Sequence, residues 1–347
     1  DRQLSVEGAG STIGIDGQII VQESYRLSAQ VVASLTTQAN NEALSKQAGE
    51  ITFGSQGHTA ALDGETFGGL ASSLNLSREG RYWGFRTGYS QSTPTFRADN
   101  GFVRQNSVRR IFIWQGATLY PKKVIPLIDR IRPGIAVGRR WNYDGLHKND
   151  FFAPSIRLQM KAQTNFQARY TFERERFAGR LFEGVQQLRL NAFSNFSEYA
   201  SLSAQVSTGR DIGRFLANPV LGNSLNVFVS GTIRPNQHLS LQPRLSYSRL
   251  RNRTTGENYF SGYIARARIG YQFSRRFFSR TVAQYNDFNK SLDIDLLISY
   301  KLNAFTAVHL GSTHDLDQFE RVRDDASKYF RERNRQIFFK VQYLVRT

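Results

Sequence analysis

Asp293 and Asp295 stand two residues apart in the run Ser291-Leu292-Asp293-Ile294-Asp295-Leu296. On an extended strand that spacing puts both carboxylates on one face, about 7 Å apart. Such a pair can trade protons with a substrate, and it can equally neutralise nearby cations. With Arg280 and Lys301 close by in the sequence, compensation of charge is the expected role. Five histidines (His58, His147, His238, His309, His314) show neither the His-x-x-x-His nor the Cys/His spacing of a zinc site. Gly8, Gly10 and Gly14 have the wrong spacing for a dinucleotide loop, and no helical pattern follows them. A lipid-cleaving or acyl-transferring enzyme would need a serine and a histidine reachable from lipid, and His309 falls on the opposite parity. No catalytic, cofactor or metal residue is therefore nominated, and the expectation is a protein that is not an enzyme.

The residues that do recur in a chemically meaningful way are cations. Arg86, Arg157, Arg169, Arg244, Arg266, Arg268, Arg280 and Lys340 share a parity with Asp293 and Asp295, opposite to their apolar neighbours. Around the carboxylates, Leu292, Ile294, Leu296, Ile298, Tyr300 and Leu302 alternate with Ser291, Asp293, Asp295, Ser299 and Lys301. Successive strand residues point to opposite faces, so one face is oily and the other wet. The pattern recurs to the C-terminus, where Ile337, Phe339, Val341, Tyr343 and Val345 alternate with polar residues.

Long sheets of this kind are what a transmembrane β-barrel needs. The expected fold is an all-β, antiparallel up-and-down barrel of about 18 strands, in the range of roughly 16–18. Clean strands are expected near 290–302, 276–286, 258–272 and 238–250, and less certain ones at 17–25 and 3–13. Residues 1–347 read as one barrel domain, with 314–335 a charged outer loop and 175–183 another long connection. Short turns and long loops should occupy opposite rims, and an even strand count would put both termini in the periplasm.

Composition agrees. The chain has 347 residues with 3 Trp, 15 Tyr and 26 Phe, and mean hydropathy is only −0.45. No stretch approaches the roughly 18 consecutive apolar residues of a membrane helix. The absence of cysteine is compatible with an oxidising envelope compartment. Lys plus Arg number 46 against 28 Asp plus Glu, a formal charge of +18 that attracts anions of some kind. The cations are scattered and no nucleic-acid recognition module surrounds them. The expected partners are outer-membrane lipid and lipopolysaccharide, proteins of an envelope assembly, and small anions or glycan, with no nucleic acid.

Two strings carry a resemblance: Trp83-Gly84-Phe85-Arg86-Thr87-Gly88-Tyr89, and Thr95-Phe96-Arg97-Ala98-Asp99-Asn100-Gly101-Phe102-Val103-Arg104. So do Ile13-Gly14-Ile15-Asp16-Gly17, Leu27-Ser28-Ala29-Gln30, Gln284-Tyr285-Asn286 and the closing run Phe338 to Arg346. The chain resembles a bacterial outer-membrane barrel family of unsettled activity, whose members typically carry an N-terminal domain like the family-9 carbohydrate-binding modules. In that resemblance Ile13 to Gly17, followed by Leu27 to Gln30 and Ala33-Ser34, looks like an early hairpin. The carbohydrate-binding-like domain is not in this sequence, which implies the C-terminal portion of a longer polypeptide extending upstream of Asp1. Fold and location follow from the resemblance; mechanism does not.

The functional expectation is an outer-membrane barrel acting as a pore with a basic, anion-preferring lumen, or as the membrane anchor of a larger assembly. The arginines, the two aspartates and Lys340 named above would line that lumen. The alternative is an occluded barrel that holds partner proteins or surface glycan, followed by a lipid-modifying enzyme.

Overall fold

The computed structural model describes residues 8–41, 43, 49, 51–98, 101, 103, 105–303, 305–320 and 328–343. Its strands are β1 (Ala9–Val21), β2 (Tyr25–Thr37), β3 (Thr52–Phe53), β4 (His58–Thr59), β5 (Thr66–Glu79), β6 (Trp83–Ser92) and β7 (Val108–Ala117). They continue as β8 (Ile128–Trp141), β9 (His147–Met160), β10 (Thr164–Phe177), β11 (Arg180–Ser194), β12 (Ala200–Ile212) and β13 (Leu221–Ile233). The last are β14 (Leu239–Asn252), β15 (Asn258–Gln272), β16 (Phe277–Asn286), β17 (Ser291–Lys301), β18 (Thr306–Glu320) and β19 (Lys328–Tyr343). Seventeen of them form one sheet, and β3 and β4 pair apart from it as a small hairpin. A single 3-10 turn, Pro121–Lys123, sits in the connection before β8.

Two compact units divide the chain. The first comprises Asp1–Leu119, Arg132–Ser155 and Thr171–Val185; the second comprises Tyr120–Ile131, Ile156–Tyr170 and Gln186–Thr347. Within the second, consecutive strands from β11 to β19 pair antiparallel. Directly opposite residues share a face, so the register tests the alternation. Ile294 stands opposite Ala283, Ile298 opposite both Ser279 and Leu310, and Tyr300 opposite Val308. Apolar residues thus meet apolar or small ones from strand to strand. Leu296, Ile298 and Leu310 stay 43%, 45% and 50% exposed, while only eight hydrophobic residues of the described chain are buried. An apolar face displayed in this way has no protein core to enter.

In the first unit the polar face is covered. The connection after β6 folds back onto β5, where Phe96 becomes buried and the Arg97 amide donates to Ser34 Oγ at 3.2 Å. Gly69 permits this approach, because a Cβ there would lie 2.3 Å from the Phe96 Cα. Phe53 of the β3–β4 hairpin meets Phe67 edge to face.

Besides register shifts at Leu250/Arg251 and Asp315/Leu316, the wall is irregular between β13 and β14. Between β13 and β14 the register passes from Ser230 opposite Arg244 to Ile233 opposite Leu241, skipping the pairs between them. Pro243 occupies the gap, and proline has no N–H to give to a ladder.

Several expectations are corrected. The two opening strands are one continuous strand, β1, in which Asp16 and Gly17 pair with Gln30 and Ala29. The turn falls at Gln22 and Glu23, both with positive φ, and the Ile13 to Gly17 stretch pairs with the Leu27 to Ser34 stretch as the hairpin of β1 and β2. Residues 1–7 lie outside the described residues, as do Asp99, Asn100, Phe102 and Arg104 of the resemblance and residues 344–347 of its closing run. The expected loop 314–335 is largely strand: Asp315 and Asp317 of β18 face Asn334 and Arg331 of β19. Charge does not end a strand whose backbone bonds are all taken up by a neighbour. Asp324 and Asp325 lie outside the described residues. The expected connection 175–183 contracts to a two-residue turn at Ala178 and Gly179. Among the described residues the large sheet has 17 strands, within the expected range of roughly 16–18.

Candidate functional site

The inner logic of the second unit is a row of directly opposed residues running across the strands on the polar face. Phe193 of β11 faces Ser203 of β12, which faces Ser230 of β13, which faces Arg244 of β14. Arg244 faces Arg266 of β15, then come Gln284, Asp293 and Asp315. Arg268, two residues beyond Arg266 on the same face, stands opposite Gln242.

Around the arginines of this row lies a cavity of about 320 Å³ lined by Arg244, Arg266 and Arg268. Ser201, Ser203, Ser230, Thr232 and Gln242 supply the remaining polar lining, and no carboxylate contributes. Arg244 lies over the Phe228 ring, 5.5 Å from its centroid. Among the described residues neither Arg266 nor Arg268 has a hydrogen-bonding or ion-pair partner. Nearby, the Arg280 Nε is buried without an acceptor. A second cavity, of about 720 Å³, lies at the same wall position and is lined by Gly231, Pro243, Ala265, Ala267, Ala283 and Leu292 among others. By register, Pro243, Ala267, Ala283 and Ile294 are successive partners, so these small side chains belong to the apolar face.

The expected compensation of Asp293 and Asp295 by Arg280 and Lys301 is not what forms. Asp293 stands opposite Asp315, Asp295 opposite Thr313. Arg333 reaches Asp317 at 3.6 Å and the Asn334 amide donates to Asp315 at 3.2 Å, while Lys301 lies over the Phe278 ring. Parity tells which face a residue is on, not which residue stands beside it on the next strand. Among the described residues no group of acidic or histidine side chains has the arrangement of a metal site.

The remaining predicted residues are dispersed. Arg86 pairs with Glu79 at 3.7 Å, and Arg157 donates to Gln167 Oε1 at 3.4 Å. Arg169 lies on β10, and Lys340 on β19 opposite His309. His309 Nδ1 is 2.8 Å from Ser299 Oγ. That serine is 1% exposed, so the pair is a satisfied internal contact with no access for a substrate.

A group missed by the sequence reading lies in the first unit. Asp150 Oδ2 accepts from Arg139 Nη2 at 3.0 Å and from Arg174 Nη2 at 2.7 Å, and its Oδ1 contacts His147 Nε2. The closeness of His147 to Asp150 in the sequence, and the arginines Arg139 and Arg174 on flanking strands, were the available signals. The long connections of this unit also frame a cavity of about 1040 Å³, lined in part by Phe53, Thr95, Arg97, Asn106 and Tyr143.

No family model and no curated protein matches this chain. Solved structures do. The siderophore receptor PirA of Acinetobacter baumannii aligns over 97% of this chain and 64% of its own, at 10% identity and a TM-score of 0.51. The ferric enterobactin receptor PfeA of Pseudomonas aeruginosa, as a point mutant, aligns over 93% and 61%, at 9% identity and a TM-score of 0.51. FpvA of P. aeruginosa, bound to a pyoverdine–Fe complex, aligns over 97% and 59%, at 9% identity and a TM-score of 0.50. The chain spans less than two thirds of each of these structures. At such identities the likeness is one of fold: the antiparallel wall of an outer-membrane receptor barrel.

Proposed function

We propose that the chain forms the wall of an outer-membrane β-barrel that passes small anionic solutes along a basic polar face. The observation carrying this reading is the set Arg244, Arg266, Arg268 and Arg280 on one side of β14, β15 and β16, without a carboxylate partner among the described residues. The exposed Leu296, Ile298 and Leu310 on the other side are suited to lipid. An arginine at mid-bilayer would cost about 2–4 kcal/mol, so the arginine side is the watery one. A basic face between low-dielectric walls concentrates anions, and salt weakens the effect by screening over about 8 Å at physiological ionic strength. In the second unit the end with the short turns 161–163 and 273–276 is read as periplasmic, and the end with the longer connection 213–220 as outward.

Reversal potentials in planar bilayers under a salt gradient test this. Anion preference that shrinks with added salt is expected; cation preference overturns it. A second reading has its own support in the first unit, where the Phe96 segment and the β3–β4 hairpin cover the polar face of β5. It makes the barrel an occluded scaffold or anchor, and an absence of conductance would put it first.

A further inference from the structure

Arg244 and Arg266 are placed directly opposite one another on neighbouring strands, where like charges repel. Arg268 follows on the same face, roughly 7 Å along the strand. On the shared row the next carboxylate is that of Asp293, two strands beyond Arg266 with Gln284 between. Among the described residues no ion pair joins it to Arg266 or Arg244. Three guanidinium groups therefore converge on one cavity without a counter-charge, a condition that any anion of matching charge relieves.

We propose that this cavity binds a phosphate-type oxyanion, carried on a free solute or on a lipid headgroup. The proposal rests on the reading of the basic face as one that receives anions, and it concerns residence at one place instead of passage. Guanidinium forks meet phosphate oxygens two at a time. The hydroxyls of Ser203, Ser230 and Thr232 and the Gln242 amide donate to oxygens that the arginines leave free. Three cations match a ligand with two or three negative charges, whereas a monocarboxylate would leave most of the repulsion in place. A divalent cation is disfavoured, since no carboxylate lines the cavity. Its volume, about 320 Å³, holds a phosphate or pyrophosphate.

Calorimetry on the full chain in detergent tests the site with two probes, inorganic pyrophosphate for the free solute and dihexanoyl phosphatidic acid for the headgroup. Binding of at least one is expected, weakened about 10–100-fold in Arg266→Gln and in Arg268→Gln. Arg253→Gln, in the connection after β14, should bind like the parent. Circular dichroism and heat-modified gel mobility of each variant check that the barrel still forms. Absence of binding by both probes, or unchanged affinity in both folded variants, overturns the site. Bilayer recordings on the same proteins separate the two claims. Binding without conductance leaves the site and removes the channel; anion-selective conductance without binding removes the site alone.

Discussion

Two arginine clusters, one in each unit, are built to opposite plans: the one at Asp150 shares its face with the exposed Val137, Phe152 and Phe172, and the one at Arg244 lies on the polar face. At Asp150 the guanidinium groups of Arg139 and Arg174 close on one carboxylate, joined by His147. At Arg244, Arg266 and Arg268 the strands supply hydroxyls and an amide but no acid. The first cluster is complete within the chain and ties β8, β9 and β10 together. The second is complete only when something arrives. The two differ in the face they occupy and in whether the next strand brings a carboxylate into register.

The comparison presumes that the second cluster faces away from lipid. Leu296→Arg tests that presumption and carries the largest expected effect, a loss of about 2–4 kcal/mol if position 296 lies near mid-bilayer. Urea unfolding from lipid vesicles, followed by tryptophan fluorescence, measures it. A variant as stable as the parent would reverse the assignment of faces and undo the comparison.

The two clusters should next respond oppositely to loss of a member. Asp150→Asn removes the shared acceptor of two half-exposed guanidinium groups and should cost about 1–2 kcal/mol, toward the low end for a charged hydrogen bond because of solvent screening. Arg266→Gln removes a like-charge repulsion and should leave stability within about 0.5 kcal/mol of the parent or slightly above it. Equal destabilisation by both changes in the same unfolding assay would mean that the second cluster is structural as well.

The smallest effect concerns acid. Asp63, in the connection that carries the β3–β4 hairpin, accepts from Thr59 Oγ1 at 2.7 Å and from the Glu65 amide at 3.3 Å. The Thr59 bond leads in holding its carboxyl below the ordinary value of 3.8. A lowered folded pKa gives stabilisation that is present above the unfolded value and lost as pH falls through the folded one. Hydrogen exchange at Thr59 and Ala60, corrected for intrinsic rate, should therefore show weaker protection at pH 3 than at pH 6. Equal protection at the two values would show that the carboxylate does not hold the hairpin.

Much of the wall was legible in the sequence because its signal is local. The strands β14 to β17 begin and end within two residues of the alternating stretches, as the period-two pattern of Leu292 to Ile298 requires. At β1 the reading split one strand into 3–13 and 17–25, while the actual turn, at Gln22 and Glu23, has no glycine or proline to mark it. At 314–335 it failed because a strand beyond the apolar zone no longer alternates in hydropathy. The site was legible by half. Parity placed Arg244, Arg266 and Arg268 together on the face opposite their apolar neighbours, and the register agrees. Their gathering, and the separation of Asp293 from Arg280, depend on register between strands, which one strand's sequence does not contain.

Pro243 gives the wall a mechanical property. A sheet pulled sideways, across its strands, carries the load through its ladder bonds, each sharing tension with the next. Where β13 and β14 skip the pairs beside Pro243, neighbouring bonds bear more than their share, as fabric does at a dropped stitch. The cavities on both faces leave little side-chain bulk to reinforce that point. Under tension from the surrounding bilayer, the wall would begin to part there, beside the three unneutralised arginines.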